Sequence, residues 1–503
     1  MPFNAAAYLL DRRLEAGDGD RLAVTGPRGT LTYTDLHDLT CRVAAGLREL
    51  GVTPGERVML NTVDSPWMLA IMLAAMRIGA VPVPVSTMLR PAEVVDLVRD
   101  SEATVLVVGP EFAGEVQPLL TDAPALRAVV FDIESLTQAG SIVDVHPTTE
   151  DDVALWLYTS GTTGLPKGAM HRHASIRVVC ETYARDVLGI TADDRVFSVP
   201  KMFFAYGLGT SAFFPLSVGA STVLEPTRCT PQMVADRLRE YRPTLFVAGP
   251  TFFGAMLGAE VPPDALTSVR LATSAGEPLP PPIYHRFVER YGVDIIDGLG
   301  STEALHIFVS NRPAEVRPGT SGIPVPGYEV RVVDDSGADV QAGTEGHLLV
   351  SGASTMLGYW HRDEATARVL DGRWLRTGDF YVASEDGFYT YLGRSDDMLK
   401  SSGIWVSPAE VEACLLAHPD VAQAAVVGVP DESGLSRTVA CVTLTPAATV
   451  TPQQLVDFCR EHLAHFKCPK AVLVMDEIPL TATGKLRRNV VRGRAADLLA
   501  VGS

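Results

Sequence analysis

The sequence has no apolar run long enough to cross a bilayer. Its longest candidate, MLAAMRIGAVPVPV, is broken by Arg77, Pro82 and Pro84 and falls short of the ~20 residues a spanning helix needs. The amino terminus, MPFNAAAYLLDRR, has no basic region leading into a long apolar core, so no secretion signal is expected and a cytoplasmic location follows. Positive charge is scarce. Forty-two basic residues stand against 60 acidic ones, a formal charge of −18, which opposes nucleic acid or an anionic membrane as the main partner. Cysteine is sparse too: seven scattered residues, an odd number with no C-x-x-C pair, exclude a disulfide framework or a zinc cage and read as small buried hydrophobes. His171 and His173 have no third ligand nearby in sequence and read as exposed or supporting histidines rather than metal ligands.

What is present is a chain of 503 residues, large enough for two or more structural units. The first 150 residues alternate helical patterns (TDLHDLTCRVAAGLRELG, PWMLAIMLAAMRIGA, PAEVVDLVRDSEA) with apolar strands (RVMLNT, TVLVVG), the texture of layered α/β structure with buried parallel strands. Strand-like STVLEP, TLFVAG, VRLATSAG and DIIDGLG follow, several ending in small residues, as expected where ligands sit beyond strand ends. From about Gly319 shorter β-rich pieces suit hairpins or a small barrel. After Gly393 a small α+β unit is expected, with TPQQLVDFCREHLAHF as a capped helix carrying Leu455, Phe458, Cys459 and Leu463 on its apolar stripe.

The stretch YTSGTTGLPKG, 158 to 168, concentrates glycines and hydroxyls ahead of one lysine, the composition that wraps polyphosphate. It is not a Walker loop, because Leu165 and Pro166 separate Gly164 from Lys167, and Gly168 stands where a magnesium-binding hydroxyl belongs. Five more glycine-punctuated polar stretches follow: SAGEPLP (274–280), DGLGSTEALHIF (297–308), RWLRTGDF (373–380), GRSDDMLKSSGIWVSPAEVE (393–412) and PLTATGKLRR (479–488).

In order and spacing these stretches resemble the adenylate-forming superfamily of acyl- and aryl-CoA synthetases, luciferases and peptide-synthetase adenylation domains, over essentially the whole chain. The resemblance implies an α/β fold. A large N-terminal adenylation domain of layered α/β subdomains plus a small β-barrel-like part, 1–395, precedes a small mobile α+β domain, 396–503, hinged at Asp396. It also implies ATP, Mg2+ and coenzyme A: a carboxylate is a poor electrophile, and exchanging one oxygen for AMP gives a mixed anhydride that a thiol can attack.

By the same resemblance Thr159, Ser160, Gly161, Thr162, Thr163 and Gly164 cradle the β- and γ-phosphates and Lys167 closes the loop. Glu303 is the magnesium ligand and Thr302 its phosphate-contacting neighbour. Gly276, Glu277 and Pro278 form a shelf for adenine, with Asp297 and Gly298 at its edge. Asp379 grips the ribose, assisted by Arg394, and Lys485 reaches the carboxylate and α-phosphate during adenylation. Lys400 and Gly403 then replace Lys485 beside the thioester site once the small domain has turned.

The segment KMFFAYGLGTSAFFPLSVGAST with GSTEALHIFVSN is most similar to benzoate-CoA ligases. It implies an acid pocket of Ala205, Tyr206, Gly207, Ala248, Gly249, Ala275, Gly298, Gly300, His306 and Ile307, whose apolar walls suit a flat aromatic acid. FVAGPTFFG offers no charged partner for an amine, which counts against amino-acid activation; Ala248 and Gly249 leave room for a bulkier cyclic acid of secondary metabolism. Two alternatives stay open: a dedicated acyl-AMP-forming enzyme serving a carrier protein or partner transferase, and a nucleotide-regulated interaction module without chemistry. The oligomeric state, a homodimer included, is also open.

Overall fold

The computed structural model describes the chain apart from residues 1, 121–122, 140–142, 160–165, 396, 402–403, 431–435, 447, 481–485 and 502–503. Local chemistry sets the elements. Thr32 and Asp35 form a reciprocal cap on the helix Tyr33–Glu49, and Gly51, at φ 79°, follows its end. The helix Pro66–Arg77, capped by Ser65, is apolar nearly all round and is accordingly buried, packed against Tyr33–Glu49 and Ala5–Leu9.

Two parallel layers carry most of the N-terminal part. One is a nine-stranded sheet in the order Ile323–Pro324, Ile307–Ser310, Ile295–Gly300, Leu271–Ala275, Leu245–Ala248, Arg195–Ser198, Ser221–Val223, Leu22–Thr25 and Leu31–Thr32, parallel from Ile295–Gly300 through Leu22–Thr25. The other is a four-stranded parallel sheet of Val81–Pro84, Arg57–Asn61, Val105–Val108 and Ala128–Val130. The hairpin Val153–Thr159 and Lys167–Arg172 pairs at its far edge with Gly358–Tyr359. The β-rich stretch expected after Gly319 contains an antiparallel five-stranded sheet built from Tyr328–Val333, Glu345–Gly352, Leu370–Asp371, Trp374–Ala383 and Tyr389–Arg394.

Beyond residue 398 the strands Val421–Pro430, Ser436–Leu444 and Ala471–Val474 form a sheet with apolar clusters on both faces, one against the helices Pro408–Leu416 and Pro452–His462, the other against Arg488–Val501. Thr451 and Gln454 cap Pro452–His462 as the sequence suggests. Its buried residues are Leu455, Val456 and Cys459, while Phe458 is half-exposed and turns its ring to His418 and His462.

Five of the seven cysteines are buried and the other two half-buried. Of the two readings of the histidines, exposure fails: His171 and His173 are both fully buried. Among the described residues no helix is long and apolar enough to cross a membrane, and no group of three or more His, Cys, Asp or Glu side chains could hold a metal ion.

Candidate active site

The parallel strands of the large sheet deliver their carboxyl ends to one region. Ala248 pairs with Ser274, Ala275 with Gly298 and Gly300 with Ile307, so the small residues named from sequence become neighbours. Glycine is required at two of them. A Cβ on Gly298 would come within 2.9 Å of Ile307 Cγ2, and one on Gly300 within 2.6 Å of the His306 carbonyl oxygen.

His306 sits at the centre, 2% exposed, with the rings of Phe214, Tyr183 and Tyr206 at 4.5, 5.3 and 5.6 Å. Burial pushes its pKa down to about 3, so the ring is neutral; Nε2–H faces the Tyr206 carbonyl oxygen at 3.3 Å, which leaves Nδ1 an acceptor without a partner among the described residues. Tyr206 closes the group through a 2.7 Å hydrogen bond between its hydroxyl and Thr273 Oγ1. Gly207 carries a steric requirement of its own. A Cβ there would lie 2.2 Å from the Lys201 carbonyl oxygen, so this glycine lets its own turn fold back on the preceding segment.

At the next strand end Gly276 has φ 91°, and the Glu277 carboxylate accepts a 2.7 Å hydrogen bond from Thr251. Asp297 is buried. The Leu279 amide approaches Oδ2 at 3.5 Å, while Oδ1 and the hydroxyl of Ser274 have no partner among the described residues. Burial pushes the Asp297 carboxyl up to about 7. Across two strands of the five-stranded sheet, Arg394 Nη1 donates to Asp379 Oδ1 at 3.0 Å and to the Thr377 carbonyl at 2.9 Å. Gly378, at φ 75°, makes room for that guanidinium, which would stand 2.6 Å from a Cβ.

Thr159 and Lys167 are the last pair of their hairpin. Ser160, Gly161, Thr162, Thr163 and Gly164 lie outside the described residues, as do Asp396, Gly403 and Lys485; of Lys400 only the backbone, in the strand Leu399–Ser401, is described. Lys167 Nζ lies 5.1 Å from the centroid of the Tyr359 ring, and the Tyr359 hydroxyl donates to Glu303 Oε1 at 2.6 Å. The Met356 amide donates to the Glu303 carbonyl at 2.7 Å.

His171 Nε2 lies 2.8 Å from the Thr302 carbonyl oxygen. Burial lowers the pKa of this ring to about 4, so it is neutral and donates there. Leu305, at φ 65°, is a rare left-handed non-glycine residue, and its turn separates Glu303 from His306. Sequence reasoning missed Tyr359, which stands in an unremarkable GYW, and left His171 as exposed or supporting; its position four residues after Lys167 on the same face of a strand was the signal for the second.

A single carboxylate held by a tyrosine hydroxyl is a donor set suited to magnesium, which keeps most of its shell for water and substrate phosphates. Glu303 fits that role.

The pattern of the AMP-binding enzyme family matches residues 10–360, and that of the AMP-binding enzyme C-terminal domain matches 410–485. The chain belongs to the AMP-binding enzymes. It is 42% identical to a benzoate–CoA ligase of Thauera aromatica, over 97% of this chain and 96% of the relative. Identity to a 4-hydroxybenzoate–CoA/benzoate–CoA ligase of Rhodopseudomonas palustris is 40%, over 97% and 94%. Among solved structures, an anthranilate CoA ligase in complex with anthranoyl-AMP superposes with a TM-score of 0.94 at 36% identity over 99% of this chain and 98% of that one. A benzoate CoA ligase from Burkholderia xenovorans LB400 gives 0.92 at 40% identity over 97% and 100%. This member is an AMP-forming acid–thiol ligase that uses ATP, Mg2+ and coenzyme A.

Proposed function

We propose that the enzyme activates benzoate or a small ring-substituted benzoate. The observation that carries this is the uncharged pocket floor, in which neutral His306 and the Tyr206–Thr273 hydrogen bond are walled by rings and by glycine and alanine backbone. Such a floor accepts a flat ring and offers an ammonium group no counter-charge. A hydroxy- or aminobenzoate is the second reading, favoured by the unpartnered Nδ1 of His306, an acceptor that a ring donor would satisfy.

In the first step a carboxylate oxygen attacks the α-phosphorus of ATP and pyrophosphate leaves. Negative charge concentrates there, and the chain answers it locally. Thr159 and the loop 160–164 hold the β- and γ-phosphates with Lys167, which Tyr359 supports from below. Glu303 would hold the magnesium ion, which supplies Lewis-acid neutralisation of the phosphate oxygens. Thr302, fixed by His171, contacts phosphate. The backbone of 276–278 shelves adenine, Asp297 and Gly298 line its edge, and Asp379, oriented by Arg394, accepts from the ribose hydroxyls. Lys485 bridges the carboxylate and the α-phosphate.

In the second step a thiolate attacks the acyl carbonyl and AMP leaves. Residues 396–503 turn about Asp396 against 1–395, withdrawing Lys485 and bringing Lys400 and Gly403 to the thioester site. Free coenzyme A is the acceptor. Mass spectrometry of products from ATP, magnesium and a panel of benzoates and bulkier cyclic acids, with and without coenzyme A, tests the proposal. Aryl-CoA formed only when coenzyme A is supplied supports it; acyl-AMP accumulating despite coenzyme A points to a protein acceptor and overturns the second step.

A further inference from the structure

Asp64 is a charged side chain buried where none of these steps uses it. It lies just beyond the strand Arg57–Asn61 of the four-stranded sheet and is 3% exposed. Both carboxylate oxygens lie 3.2 Å from the backbone nitrogen of Met202, the one hydrogen-bond donor to Asp64 among the described residues. Met202 belongs to the other layer, between the strand Arg195–Ser198 and the turn Ala205–Leu208. Burial pushes the Asp64 carboxyl up to about 6 against the pull of the Lys201 ammonium. Burying a carboxylate to receive one amide is costly, and an apolar side chain of similar volume would serve the packing better. Something other than packing is served there.

The segment that Asp64 holds is the wall of the acid pocket. The Phe204 amide donates to the Lys201 carbonyl at 3.0 Å, and the Leu208 amide to the Phe204 carbonyl at 2.7 Å. Gly207 lies flush against the Lys201 and Pro200 carbonyl oxygens, which would be 2.2 and 2.5 Å from a Cβ. Lys201 Nζ is itself tied to the Glu225 carbonyl at 2.5 Å. Residues 201 to 208 are therefore one braced piece, and Tyr206 near its end makes the contacts to Thr273 and His306.

We propose that Asp64 is a positioning residue for the acid pocket: by holding the Met202 amide it fixes the 201–208 segment and so sets the place of Tyr206, coupling the four-stranded sheet to the pocket wall. This rests on the pocket proposed above. A carboxylate that lost its grip on Met202 would let the wall move as a unit, loosening the acid site while the nucleotide ledge, on other strand ends, stayed in place.

The test uses the full chain, benzoate as the acid and pyrophosphate exchange as the readout, with Asp64→Ala, Asp64→Asn and Tyr206→Phe. Asp64→Ala is expected to raise the KM for benzoate about tenfold, the scale of one buried hydrogen bond to a charged group, with the KM for ATP unchanged to within about twofold. Asp64→Asn, whose side-chain oxygen still accepts, is expected to restore most of the benzoate KM. If thermal unfolding shows that Asp64→Ala does not fold, Asp64→Leu, which fills the same space without accepting, takes its place with the same expectations. Benzoate and ATP KM rising together, an unchanged benzoate KM, or an Asn variant no better than Ala or Leu overturns the inference. Tyr206→Phe separates the two levels. A shifted benzoate KM in Tyr206→Phe with none in Asp64→Ala sinks the Asp64 inference alone, and no shift in either sinks the pocket itself.

Discussion

Tyr359→Phe removes one oxygen from the phosphate side of the site and leaves the ring that lies under Lys167. That oxygen donates a 2.6 Å hydrogen bond to Glu303 Oε1, a phenol-to-carboxylate bond of the charge-assisted kind. Its loss removes about 1.5–3 kcal/mol of restraint on the carboxylate, which corresponds to roughly 10- to 150-fold in an equilibrium constant. Partners that orient metal ligands show losses on the same scale, about 10- to 100-fold in metal affinity. The rate of pyrophosphate exchange, measured against free Mg2+ at saturating ATP and acid, should therefore show a half-saturating Mg2+ concentration raised about tenfold or more. The acid KM should stay as it is, because the pocket lies on the other side of the Leu305 turn. A half-saturating Mg2+ concentration that is unchanged or lower in a folded variant refutes the assignment of Tyr359 as a support for the metal ligand.

Asp379→Asn should raise the KM for ATP about 10- to 100-fold and spare the acid KM, since a ribose-facing acceptor pinned by Arg394 loses its charge. Gly300→Ala should cost about 1–3 kcal/mol in denaturant unfolding, because the added Cβ meets rigid backbone at 2.6 Å; a neutral result refutes the tight approach. Lys485→Ala should abolish adenylation and spare thioester formation from supplied acyl-AMP, whereas Asp396→Pro should spare adenylation more than thiolation; equal losses of both half-reactions in both variants would sink the two-position scheme.

The fifth concerns pH. His171 and His173, lowered to about 4, and His306, lowered to about 3, stabilise the fold fully above their unfolded pKa of about 6.5 and lose that contribution as pH falls. Asp297, raised to about 7, works the other way: its contribution is present below its unfolded value and is lost as pH rises through 7. Asp297→Asn should therefore steepen the rise of stability with pH between about 4 and 7 by close to one proton, about 1.4 kcal/mol per pH unit. A slope equal to the wild type's would mean that Asp297 titrates normally.

The elements were legible where local chemistry speaks without context. The Thr451 and Gln454 cap, the proline-started helix Pro91–Ser101 and the strand ends in small residues all stand where their patterns put them. The acid-pocket residues came from the resemblance to benzoate–CoA ligases, and the sheet makes neighbours of those on adjacent strands: Ala275 with Gly298, and Gly300 with Ile307. Tyr359, His171 and Asp64 could not be read that way. Each acts on a partner 56, 131 or 138 positions away, and the stretches GYW, MHRHA and NTVDS do not say which partner that is. Burial decided between the exposed and the supporting reading of His171 and made it a neutral donor, and burial is set by the packing of the Lys167–Arg172 strand against the Thr302 turn.

Arg488 is pinned to Glu412 at 2.5 and 2.9 Å and lies 3.7 Å from Asp397, next to the proposed hinge at Asp396. Lys485 stands three positions before it, and three residues of chain span at most about 11 Å. The lysine is thus on a short tether whose far end is bolted to the body of the small domain. In the two-position scheme proposed above, such a lysine is carried with its domain, like a tooth on a cog, so the number of times it is presented to ATP would be the number of times the whole domain turns.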